Sequence, residues 1–372
     1  MKRTSAPQGR KRQEATVYAL CALSLLAFAL ARSTAGPPLK MKDDMLKASL
    51  LMKNATETVI HCREERGIPI NGREDVNLTG LIGVELSPLT TSLGNLEAKR
   101  TTANPNFAGL IVSLLNEAGL KKGDTIAMGA SSSFPALIIA SLCAAKTMGL
   151  STILICSLGA SQWGANNPDF HWLDMHRCLL QAGIIDVSPV ALSLGGDGDE
   201  GKDMSPEGRS LLLEEARKTQ VPFLNESDLE KNVGERLRLF GVDRSNSKIK
   251  AFVNIGGGYA NMGTDSEILH VNPGIAVFRR LPPPQKRGVI FEMAARRIPV
   301  IHLLYIKGIC DRYGLPWDPR PLPRPGEGSI YARKAVAGVL FFSIAGVYFF
   351  LAVLISVLSS RYHNGHDALV GV

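Results

Sequence analysis

Residues 124–137 read DTIAMGASSSFPAL, and the fold turns on them. Thr125 to Met128 is a short β-prone apolar run, Gly129 and Ala130 permit a tight turn, and three serines precede a helix predicted over residues 134–148. That helix is almost wholly apolar and stops at Gly149, as a helix packed against a sheet does. Strand, turn and apolar helix in this order form the unit of a parallel sheet with covered faces. The alternation recurs outward from here. Further strands are predicted at 81–85, 152–156, 190–193, 251–255 and 300–304, and further helices at 43–65, 106–118, 206–218 behind a Ser205 cap, and 226–239. The expectation is an α/β domain with a Rossmann-like, mostly parallel sheet over residues 32–332, long enough for a substantial core.

Two apolar runs flank this region. Residues 335–358, AVAGVLFFSIAGVYFFLAVLISVL, contain no charge, Asn, Gln or Pro and suffice to cross a bilayer as a helix. Residues 15–31 form the other run. Lys2, Arg3, Arg10, Lys11 and Arg12 before it, against Glu14 alone, keep residues 1–14 cytoplasmic and send the main domain outside. The first run is either a retained anchor or a signal cleaved behind Ala29-Leu30-Ala31. Arg320, Arg324, Arg333 and Lys334 before the second run, with Arg361 in the short tail 359–372, pull against that orientation.

Chemistry gathers in three places. Ser131, Ser132 and Ser133 follow a strand and open a helix, which suits an anion or carboxylate, a serine nucleophile, or plain capping. The run is not a G-x-S-x-G elbow, and no base is assignable from sequence. NIGGGYANMG, residues 254–263, places Gly256, Gly257 and Gly258 after a strand, where α/β proteins bind ligands. It lacks G-x-G-x-x-G and the P-loop lysine, so no nucleotide cofactor is implied. These glycines either permit a tight turn or share a pocket with the serines. ELSPLTTSLGNLEAKRTTANPNFAGL, residues 85–110, reads as a polar loop in which Thr90, Thr91, Glu97, Lys99 and Arg100 suit a carboxylate-bearing ligand.

Cys21, Cys62, Cys143, Cys156, Cys178 and Cys310 show neither CxxC nor zinc-type spacing, so no metal site follows. An odd number of thiols in the exported part argues against a disulfide scaffold and, more weakly, against export. His171 and His176, five apart, do not make a zinc helix. GGDGDEGKD, residues 195–203, reads as a solvent loop.

GVELSPLTTSLGNLEAKRTTANPNFAGLIVSLL followed by GDTIAMGASSSFPAL resembles the poly-γ-glutamate system protein family. The resemblance covers most of the chain. It implies a bacterial cytoplasmic membrane protein that accompanies the poly-γ-glutamate synthase membrane subunits in making this capsule or extracellular polymer. It carries no catalytic residue with it. The expected function is therefore an accessory protein binding the polymer, glutamate or another anion. The alternative is a membrane-tethered serine-dependent hydrolase or transferase acting on the polymer.

Charge names a partner independently. Residues 279–334 hold 12 Lys or Arg and 4 Asp or Glu, which accounts for the whole formal net charge of +8. Arg279, Arg280, Lys286 and Arg287 form the densest patch, which attracts a polyanion such as poly-γ-glutamate or anionic lipid head groups, or is merely solvated charge. Nucleic acid is not an expected partner outside the cytoplasm.

Overall fold

A computed structural model describes residues 6–33, 41–242, 248–332 and 338–367. Lys2, Arg3, Arg333, Lys334, the first residues of the predicted second span and residues 368–372 lie outside the described residues.

The chain divides into a unit of the two terminal segments and a compact unit over residues 41–331. After α1 (Ala6–Ser33), three helices lead into the sheet: α2 (Lys42–Glu65), α3 (Leu96–Thr102) and α4 (Asn106–Glu117). There follow β1 (Thr125–Ser131), α5 (Pro135–Met148), β2 (Ser151–Ser157), a small hairpin of β3 (Asn166–Asn167) and β4 (Phe170–His171), then α6 (Trp172–Gln181) and β5 (Ala191–Ser193). Next come α7 (Pro206–Thr219), β6 (Phe223–Leu224), α8 (Leu229–Phe240), β7 (Ile249–Ile255), α9 (Tyr259–Met262) and β8 (Gly274–Ile275). The last elements are α10 (Val289–Ala295), β9 (Val300–Leu303), α11 (Ile306–Tyr313) and α12 (Gly338–Asp367).

Seven strands form one sheet in the order β6-β5-β2-β1-β7-β9-β8, parallel throughout except β8 against β9. The chain starts mid-sheet at β1, builds outward through β2, β5 and β6, then returns to place β7 on the other flank of β1. Strand order therefore reverses between β1 and β7, the position at which open α/β sheets bind ligands beyond the carboxyl ends of their strands.

Alternate residues along a strand face opposite sides. Ile126 and Met128 join the core beneath α2, α4 and α5, with Met52, Phe107 and Leu137. Ala127 and Phe252 join the opposite core beneath α8 and α10, with Phe240, Val289 and Met293. Phe240 and Phe252 meet edge to face with centroids 5.8 Å apart. Helix ends follow local chemistry. Ser205 accepts from the amide of Gly208 to start α7, Asp228 accepts from that of Lys231 to start α8, and Gly149 ends α5 with φ of 65°, a conformation free of cost for glycine.

Four expectations are corrected. Residues 81–85 form no strand: the amide of Gly83 reaches Trp163 O and that of Val84 reaches Asn166 Oδ1, so side chains and loop carbonyls replace a ladder. The polar stretch 85–110 contains helix α3, started by Asn95 Oδ1 accepting from the amide of Ala98 at 2.7 Å. Gly129 and Ala130 belong to β1, which runs on to Ser131. Cys62 on α2 and Cys178 on α6 are disulfide-bonded, a pairing that spacing alone does not reveal, and Cys143, Cys156 and Cys310 stay as thiols.

In the terminal unit, α1 and α12 are both long and apolar enough to span a membrane, over residues 14–31 and 340–359. They pair antiparallel: Thr16 Oγ1 lies 3.0 Å from Ser359 Oγ, and Ser24 Oγ lies 3.0 Å from Tyr348 Oη. Leu25, Phe28, Phe342, Phe349 and Phe350 stay exposed, as lipid-facing side chains are. Two terminal helices of this kind fit a two-span membrane protein. Residues 6–14 of the predicted basic tail continue α1.

Candidate functional site at the carboxyl edge of the sheet

Parallel register brings the serines together. Ser131 pairs with Ser157 across β1 and β2, and Ala130 pairs with Ile255 across β1 and β7. Gly256, the first residue beyond β7, adopts a φ of 78°, and a Cβ there would lie 3.1 Å from Ser131 Cβ. A Cβ on Gly258 would lie 3.9 Å from Ser157 Oγ. The serine turn and the glycine-rich turn thus share one edge and touch at the switch point.

The three serines do different work. Ser132 is sealed, with its hydroxyl donating to Ser157 O at 2.7 Å and its amide bound to the same carbonyl. Ser131 Oγ donates to Ser133 Oγ at 3.1 Å, and the amide of Ser161 donates to Ser133 Oγ at 2.9 Å. The half-buried Ser133 hydroxyl therefore accepts two hydrogen bonds, and its own proton has no acceptor among the described residues.

Lys99, from α3, enters this cluster and is only 3% exposed. Its Nζ bonds to Ser133 O, lies 2.7 Å from Ser161 Oγ and sits 3.8 Å above the Phe134 ring. No carboxylate lies within ion-pair distance among the described residues, and desolvation pulls the amine down to about 7.

The glycine turn is braced from below. Asn254 Nδ2 donates to Gly256 O at 2.8 Å and to His302 Nδ1 at 3.0 Å, which fixes that ring nitrogen as an acceptor. Burial lowers His302 to about 4, keeping it neutral. The amides of Gly257 and Gly258 have no acceptor among the described residues, and Gly257 is exposed. Two open amides beside hydroxyls can receive an anionic oxygen.

The remaining candidates lie apart from this function. Thr90 Oγ1 accepts from Asn166 Nδ2 at 2.8 Å, and the amide of Thr91 donates to Ala160 O, so both fasten the loop that carries Ser161. Arg100 grips Asp318 through Nε and Nη2, each at 2.7 Å, which commits it to structure. The side chain of Glu97 joins no described ion pair; its backbone carbonyl accepts from Thr101 Oγ1. In the basic patch, Arg279 and Lys286 are exposed, whereas Arg280 pairs with Glu267 at 2.8 Å and Arg287 with Glu292 at 3.3 Å. Two of the four predicted charges are thereby offset. A separate cleft of about 730 Å³ lies beside Arg63 and Arg66, but Arg66 is paired with Asp174 and Arg63 donates to Pro69 O and Gly80 O.

Ser157, Ser161 and His302 escape a reading by motif, whereas Asn254 opens the glycine-rich stretch 254–263. One signal was available: residues 156–161, CSLGAS, place a second small, serine-bearing turn after a strand, as the first serine turn does. No family model, curated protein or solved structure matches this chain.

Proposed function

We propose that this chain is a membrane-anchored accessory protein of poly-γ-glutamate synthesis or export in a bacterial cytoplasmic membrane, and that its α/β domain binds a carboxylate outside the cell. The observation that carries the binding role is the meeting of the serine turn and the glycine turn at the strand-order reversal, where the amides of Gly257 and Gly258 stand open. The Cys62–Cys178 bond supports an oxidising compartment, hence the outer face. Pairing of α1 with α12 supports a retained first anchor. The pathway and the synthase partners rest on the family resemblance, and Arg279 and Lys286 provide the exposed cations for a polyanion.

Gly258 has a φ of −59°, which proline matches, and a Cβ there meets nothing closer than 3.9 Å. Gly258→Pro therefore deletes one amide donor with little strain. Full-length protein in detergent should bind glutamate oligomers about tenfold less tightly after this change, as expected for loss of a hydrogen bond to a charged group. Equal affinity would remove the switch point from the binding role. Deleting the gene in a producer strain, with cell-bound and released polymer measured separately, tests the pathway; unchanged amounts and chain lengths would end it. The alternative of a serine-dependent hydrolase or transferase needs a base, and Lys99 is the group whose position favours it.

A further inference from the structure

We propose that Ser161 is an acyl-accepting nucleophile, with Lys99 as its general base and the Ser133 hydroxyl as the donor to the developing oxyanion. This goes beyond carboxylate binding and does not require the acyl donor to be a polyglutamate.

Geometry carries the assignment. Lys99 Nζ and Ser161 Oγ are 2.7 Å apart, which is proton-transfer distance. A lysine used only as a tie is expected beside a carboxylate, because an ammonium buried against neutral partners is costly. Here its partners are a carbonyl, a hydroxyl and an aromatic face. Burial that depresses the amine leaves a substantial neutral fraction near pH 7. The neutral amine donates an N–H to Ser133 O, and its lone pair, turned onto the separate 2.7 Å axis to Ser161 Oγ, accepts the Ser161 proton. Both loops are held in place: Ala160 N reaches Leu89 O at 3.3 Å, Gly164 N reaches Ser161 O at 2.9 Å, and Ala165 N reaches Ser132 O at 2.9 Å. Ser161 is 7% exposed, and its amide donates to the hydroxyl of the half-buried Ser133.

The step balances. Ser161 Oγ gives its proton to Lys99 Nζ and attacks the carbonyl carbon of an amide or ester. The Ser133 hydroxyl donates its uncommitted proton in a hydrogen bond to the oxyanion, in place of the Ser161 amide, which is already bound to Ser133 Oγ. Lys99 returns the proton to the leaving nitrogen or oxygen, the carbon–heteroatom bond breaks, and an ester remains on Ser161. Water or an amine, deprotonated by Lys99, then takes the acyl group and restores the hydroxyl.

The test is serine-directed labelling of the full chain in detergent with a fluorophosphonate, read by peptide mass mapping. The expected result is one adduct on Ser161, absent in Ser161→Ala. The labelling rate should rise about tenfold per pH unit to near pH 7 and then level, following the free amine. Lys99→Met and Lys99→Arg should both slow labelling about 100-fold or more, since neither supplies a base at this pH. No adduct on Ser161 after prolonged exposure at pH 8, or a rate unchanged in Lys99→Met, would overturn the assignment. The unmodified chain is itself decisive, so a misfolded variant cannot rescue the idea. Protein that binds glutamate oligomers yet takes no label would keep the accessory function and lose only this step.

Discussion

Arg236 donates from Nη2 to Asp199 Oδ2 at 2.6 Å, with both residues about 3% exposed. Asn232 Nδ2 and Ser193 Oγ also donate to the Asp199 carboxylate, so the turn after β5 is fastened to α8 by a sealed network. The predicted solvent loop is thus buried at Gly195, Gly198, Asp199 and Gly201, while Asp197, Lys202 and Asp203 stay exposed.

Removing one partner strands a buried charge. Arg236→Leu should cost about 3–5 kcal/mol in urea unfolding, whereas the paired change Arg236→Met with Asp199→Leu should recover most of that loss. A single-variant cost below about 1 kcal/mol would mean that water reaches the pair.

The Cys62–Cys178 bond closes a separation of 116 residues. Cys62→Ser should destabilise the domain by about 2–5 kcal/mol. Mass analysis after alkylation without reductant should find Cys21, Cys143, Cys156 and Cys310 as thiols and this pair protected. Alkylation of all six cysteines in protein isolated from its own membrane would withdraw support for the outer face.

Lys99 gives a pH signature. Its folded value, about 7, lies below the ordinary 10.5, so between these limits the unfolded chain binds the extra proton. Stability should therefore rise with pH across that window, on the order of 1 kcal/mol per unit from this group, and the gain should vanish as pH falls through 7. Unfolding of Lys99→Met, compared with the parent at several pH values, isolates the slope. Identical slopes would show that Lys99 remains charged.

A Cβ on Gly129 would lie 2.5 Å from Asn261 Nδ2. Gly129→Ala should push α9 from β1 and cost about 1–3 kcal/mol. Gly234, where nothing lies within 4 Å of a Cβ, is the control: Gly234→Ala on α8 should be neutral or stabilising.

Anchoring is testable by truncation. Protein lacking residues 333–372 should stay with membranes through α1 but yield more readily to carbonate, having lost the Ser24–Tyr348 and Thr16–Ser359 contacts. Complete solubility would identify the first segment as a cleaved signal.

Local patterns were enough for much of this molecule. Apolar runs of strand length at 125–128, 152–156, 190–193, 251–255 and 300–304 all became parallel strands, because a strand buried on both faces must be apolar along its length. Caps at Ser205 and Gly149 set helix ends, and uncharged stretches of spanning length set the two terminal helices. The serine and glycine turns were legible as neighbours because both follow strands of one parallel sheet.

What remained required distance. Residues 81–85 had strand composition, but the backbone approach of Gly83 to Gly164 left room only for irregular pairing. Arg100 looked like a ligand cation until Asp318, 218 residues away, claimed both of its ends. Cys62 found Cys178, Asp199 found Arg236, and Lys99 found Ser161 in the same manner. Sequence determined which segments could be buried, since periodicity is local. Only the tertiary structure decided which polar groups are partnered, since desolvation, charge pairing and proton transfer depend on ångströms between residues that the chain keeps far apart.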